Sequence, residues 1–134
     1  MVLQYLAALV LIGHGIGHTT GFFESWTSIK VGFHDRPWIF DDKTKLKSPI
    51  GKAFGILWVV CIPIFILAGV AILMEGTWWR ETALIGSVIS AAAMLPWWNA
   101  MIGGAKAGLL LNIAIIVVLL VPGGEQIIDF FEVP

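Results

Sequence analysis

Apolar residues dominate four stretches of the chain, 2–23, 49–74, 79–102 and 105–121, which are separated by polar or turn-forming residues. A bilayer core of ~30 Å is crossed by roughly 20 apolar residues in a helix, so the pattern predicts four membrane-crossing helices. The first stretch has no acidic or basic side chain, and its polar residues are Gln4, His14, His18, Thr19 and Thr20. It lacks the basic leader and small-residue cleavage site of a signal peptide and reads as a retained span. A polar loop, 24–48, follows. Ser48-Pro49 then reads as a helix N-cap with proline in the first turn, where its missing N–H does no harm. Pro63, near the middle of the second span, is expected to free a carbonyl and bend the helix.

Glu75-Gly76-Thr77 reads as a tight turn. Trp78, Trp79 and Arg80 beside it, and Trp97 and Trp98 at the far end of the third span, mark the two headgroup levels, where indole rings settle. Gly103-Gly104 breaks the chain before the fourth span, which stops at Pro122-Gly123-Gly124. In the acidic tail, Ile127, Ile128, Phe130 and Phe131 predict a short amphipathic piece lying on the surface. The fold class is therefore all-α, a bundle of four transmembrane helices forming one integral membrane domain over residues 1–134.

Composition agrees. Of 134 residues 58% are apolar and 13% charged, with mean hydropathy +0.90, whereas soluble domains run near 45–50% apolar and about 25% charged. A net charge of −1 gives no reason to expect a nucleic-acid partner. The lone Cys61 rules out an intrachain disulfide framework and a multi-cysteine metal cluster, and its place in an apolar run suits a small buried hydrophobe. Charge placement adds orientation. Seven of the eight basic residues, Lys30, Arg36, Lys43, Lys45, Lys47, Lys52 and Lys106, fall on the side of the first and third loops, and Arg80 alone on the other. By the positive-inside rule those loops are cytoplasmic and both termini lie outside. The lysines at 43, 45, 47 and 52 read as a contact for anionic lipid.

Gly13, Gly17 and Gly21 are spaced four apart, as are Gly51 with Gly55 and Gly104 with Gly108. Small residues at this spacing let helices approach closely, within one bundle or across a dimer. His14 and His18, in His-Gly-Ile-Gly-His, share one helix face beside the first stripe. Ionisable residues inside a span face the bundle interior and are candidates for function. Two imidazoles at this spacing can share a metal ion, with His34 in the loop as a third ligand beside Glu24, Asp35, Asp41 and Asp42. They cannot both be axial ligands of one haem, and the glutamate of a His-Glu-x-x-His protease motif is absent. Asn112, at mid-span, and Asn99, at the cytoplasmic end of the third span, complete a candidate polar pocket with His14 and His18. The structural alternative is that these residues are ties between helices. The segment from Phe33 to Phe40 either anchors at the interface through Trp38 and Phe40 or folds under the bundle as a lid.

The His14-Gly15-x-x-His18 motif followed by Gly21-Phe22, and the stretch from Trp97-Trp98 through Lys106 to Asn112, resemble a group of uncharacterised bacterial four-helix membrane proteins. In size and helix count the chain is also similar to DoxX-type membrane proteins, some of them linked to quinone-dependent oxidation. The resemblance implies the fold and a multi-pass place in a bacterial inner membrane. It brings no activity. No phosphate loop, Ser/His/Asp set or paired-carboxylate site is present. The sequence thus supports a histidine pocket for a metal ion, quinone or other small ligand, a non-catalytic accessory subunit of a larger membrane complex, or a small dimeric transporter.

Overall fold

In a computed structural model of the chain, residues 2–34, 37–40 and 44–132 are described, with 130–132 by backbone only. Their order is α1 (Val2–Gly17), α2 (Thr19–Trp26), α3 (Pro49–Leu73), α4 (Trp79–Met94), a 3₁₀ turn (Leu95–Trp97), α5 (Gly103–Leu120) and α6 (Gly124–Glu132), with no strand among the described residues. Three helical segments are long and apolar enough to cross a membrane: Val2–Trp26, Pro49–Leu73 and Gly103–Leu120. The reason for helix is the solvent the sequence is suited to: in hydrocarbon each backbone N–H and C=O must find its partner within the segment.

Helix ends follow local chemistry. Ser48 Oγ accepts the Gly51 N–H at 3.3 Å with Pro49 in the first turn, as expected. α3 continues through Pro63 to Leu73. It ends in a Schellman turn in which Glu75 adopts φ 55, its N–H bonds Ile72 O at 3.1 Å, and the Gly76 N–H bonds Ala71 O at 2.8 Å. The third helix is shorter than the hydropathy suggests. It stops at Met94 because Pro96 has no N–H to continue the ladder, and the chain passes through Leu95–Trp97 into an irregular turn.

α3 is the centre of the bundle, with α1 and α2 along one side and α4 along another; α5 packs on α4 but scarcely meets α1. The buried residues of the first segment are Ala8, Leu11, Gly15, His18, Gly21, Glu24 and Ser25. This corrects the glycine reading in part. A Cβ on Gly13 or Gly17 would meet nothing within 4 Å, so these two face outward. The close approaches are made by Gly15, against Ile62 O and Phe65 Cβ, and by Gly21, against the Trp58 ring. Gly51 and Gly55 are buried against the loop and Ser25 as packing glycines, whereas Gly104 is open.

The α2–α3 loop folds under one end of the bundle. Phe33, Phe40 and Leu46 pack against a core that includes Trp58, Met94, Trp97 and Leu109. Trp38, exposed, donates its indole N–H to Leu95 O at 2.6 Å. Phe33 and Phe40 are thus packed against the bundle and the Trp38 ring is left outside. Asp35, Arg36, Asp41, Asp42 and Lys43 lie outside the described residues.

Candidate functional site

The helices converge on the histidine pair. His18 sits in the break between α1 and α2, where its backbone N–H turns to Gly15 O, three residues back, at 3.1 Å. The His14 carbonyl, four residues back, is taken instead by the side chain of His18, whose Nδ1 donates to it at 2.9 Å. The break is thus held by the imidazole itself.

The remaining protons follow by elimination. A carbonyl only accepts, so Nδ1 of His18 carries a proton, and in the neutral ring Nε2 keeps its lone pair. That lone pair receives the hydroxyl proton of Ser90, on α4, at 2.6 Å. Ser90 Oγ accepts from Asn112 Nδ2, on α5, at 2.6 Å, and Asn112 Oδ1 accepts from His14 Nε2 at 2.8 Å. The circuit then closes through the His14 carbonyl. Turning the Asn112 amide over would draw the single Ser90 proton to Oδ1 and leave two lone pairs, on Ser90 and His18, facing each other at 2.6 Å. With both imidazoles neutral, one direction of the ring is consistent, and the two rings are opposite tautomers. Asn112 and Ser90 are fully buried and His18 is 4% exposed. α3 contributes Phe65, whose ring meets His14 edge-on at 4.6 Å and stacks on His18 at 5.5 Å. Met94 Sδ flanks the ring 3.2 Å from Ser90 Oγ. Each of the four long helical segments supplies a wall.

Two of the four pocket residues expected from sequence, His14 and Asn112, are bonded directly, and His18 is one serine away from Asn112. Asn99 is exposed on the turn after the 3₁₀ segment, carried off the α4 axis by the stop at Pro96. His34 is exposed in the loop, its backbone N–H donating to Ala100 O at 2.7 Å. Among the described residues no group of three or more His, Cys, Asp or Glu is placed to hold a metal ion. Both nitrogens of His18 and Nε2 of His14 already have protein partners, so the set His14, His18 and His34 does not assemble. Ser90 is the member that sequence reasoning missed. Its one signal is a place on the small-residue face of α4, with Ala83, Gly86 and Ser87, all buried.

No protein-family model, curated protein or solved structure matches the chain. The site therefore rests on its own geometry.

The His14–Asn112 bond joins α1 to α5 beside Gly108, which faces the His14 ring at close range. Beyond it, starting from Leu11 and Leu111, the two helices stand apart and leave a groove of about 910 Å³. Its walls are aliphatic. Polar lining groups, among them Gln4, Glu75 and Thr77, are confined to the end beside the α3–α4 turn, where Ile127 and Ile128 of α6 also line it. The volume lies within the roughly 300–1,000 Å³ of small-molecule sites.

Proposed function

We propose that the chain is a four-span membrane protein, with both termini outside, that binds a long-tailed amphiphile of the bilayer, of the quinone class, in the groove between α1 and α5. The observation that carries this reading is the α1–α5 seam: closed at mid-depth by one hydrogen bond beside Gly108, open and apolar beyond it, polar at one end. An amphiphile has the matching shape, its tail along the aliphatic walls and its head beside Gln4, Glu75 and Thr77. The histidine ring is the tie that fixes the groove floor, and it is not itself the ligand site. α4 supplies the fourth span: its 16 residues rise about 24 Å, and the 3₁₀ turn adds about 6 Å, which together match a ~30 Å core.

Ala114→Trp fills the groove from α5 without touching the tie. Native mass spectrometry of protein purified from membranes should show one amphiphile on the wild type and none on a folded Ala114→Trp variant. A wild-type chain that is bare in every preparation would contradict the reading. Orientation is tested by labelling cysteines introduced near Asp129 and near Lys45 in intact cells. The site near Asp129 should react from outside and the one near Lys45 should not; the buried Cys61 stays silent.

An accessory role in a larger membrane complex is the second reading. It is favoured by α5, in which only Leu109 and Asn112 are buried, and by the open faces of Gly13 and Gly17. Under this reading the chain elutes with a partner from mild detergent; under the first it elutes alone with its ligand.

A further inference from the structure

The lysine-rich end of the bundle holds a second cavity, of about 320 Å³, lined by Glu24, Lys30, Gly32, Phe33, Leu46 and Lys47. Its apolar floor is Phe33 and Leu46, both packed on the core. Its wall is fixed by Glu24, a buried residue whose Oε2 accepts the Val31 N–H at 2.6 Å and so pins the loop. Gly32 turns the chain there at φ 99, a conformation that glycine adopts at no steric cost. Lys30 and Lys47 stand at the rim, both exposed. With one carboxylate and two ammonium groups, the lining carries one net positive charge.

We infer that this cavity binds a phosphate monoanion, supplied by the phosphodiester headgroup of an anionic phospholipid or by free phosphate, between Lys30 and Lys47. Three observations converge on it besides charge. The cavity is a formed concavity with a pinned wall, so the lysines converge on a space and do not merely coat a surface. Lys47, which lines it, immediately precedes Ser48, the N-cap of α3, a helix of 25 residues, whose dipole favours an anion at that end. Trp26 lies close in sequence to Glu24 and Lys30, exposed, with its indole N–H on Lys52 O at 2.9 Å and the Lys52 ammonium 5.2 Å over its ring. Such a tryptophan marks the headgroup level, where a lipid phosphate would lie. Phosphate contacts of this kind gain from the negative leaflet that polybasic segments face.

The test is a titration of phosphatidylglycerol onto the full chain in detergent, followed by native mass spectrometry. Lys30→Gln/Lys47→Gln is compared with wild type, and Lys106→Gln, outside the cavity, serves as control. Both lysines are exposed, so folding is preserved, which circular dichroism verifies. At about 1 kcal/mol per lysine near an anionic surface, the double variant should weaken binding about 30-fold, and Lys106→Gln should not alter this site. Millimolar inorganic phosphate separates the two sources: displacement of the lipid assigns the site to free phosphate, and retention assigns it to the headgroup. Equal binding by wild type and the double variant would overturn the proposal.

Discussion

Gly21→Leu is expected to abolish the folded bundle, whereas Gly17→Leu is expected not to lower its thermal stability in detergent. Both glycines lie on what reads in the sequence as one stripe, so the contrast depends on the structure. A Cβ on Gly21 would fall on Trp58 Cε3, inside the indole. Trp58 is 3% exposed and wedged against Phe33, whose ring centre is 5.4 Å away, so the ring has nowhere to go. Overpacking a core usually costs about 1–3 kcal/mol, and an overlap this deep should exceed that range. At Gly17 the added side chain meets nothing within 4 Å and gains up to about 1 kcal/mol of helix propensity. Equal loss at both positions would show that the Gly13–Gly17 face is buried against something.

Asn112→Leu is expected to destabilise the bundle by about 2 kcal/mol, which is the net of two effects. An interhelical hydrogen bond in a membrane contributes about 0.6 kcal/mol on average and at most roughly 1.7, whereas stranding the partly buried donor His14 Nε2–H costs on the order of 1 kcal/mol. The two terms are separable. His14→Leu/Asn112→Leu removes both partners, so the double variant should fall short of the summed singles by about 1 kcal/mol. Reversible unfolding in mixed micelles across the four proteins measures this coupling. Strict additivity would mean that the 2.8 Å contact carries no energy.

The hydropathic outline of the fold was legible because lipid demands apolar side chains on nearly every face of a helix. The α3 start was legible because Ser48-Pro49 is local chemistry. What was not legible depends on partners. Gly13 and Gly17 differ from Gly15 by two residues, or about 200° around a helix of 3.6 residues per turn, and only the position of α3 decides which side is the packing side. The end of α4 was misread because Trp97 and Trp98 suit an interface so well that they mask the break at Pro96. Placing Asn99 on the α4 axis followed from that error. In the candidate site, His14, His18 and Asn112 stood out as polar residues in apolar runs. Ser90 did not, since serine is common on small-residue helix faces, and its bond to His18 joins residues 72 apart in sequence. The break at His18 was hidden for a related reason: the side chain that fills the His14 carbonyl belongs to the residue that leaves the ladder.

His14, Asn112, Ser90 and His18 form one closed hydrogen-bonded ring tying α1 to α4 and α5. Nitrogen-15 NMR of the histidine-labelled protein in bilayers at neutral pH tests it most directly, because the two ring nitrogens report protonation separately. The ring predicts one proton on each imidazole and opposite tautomers, Nε2–H at His14 and Nδ1–H at His18, with the His18 pattern altered in Ser90→Ala. Identical tautomers, a doubly protonated His18, or metal-shifted nitrogens at either histidine would contradict it.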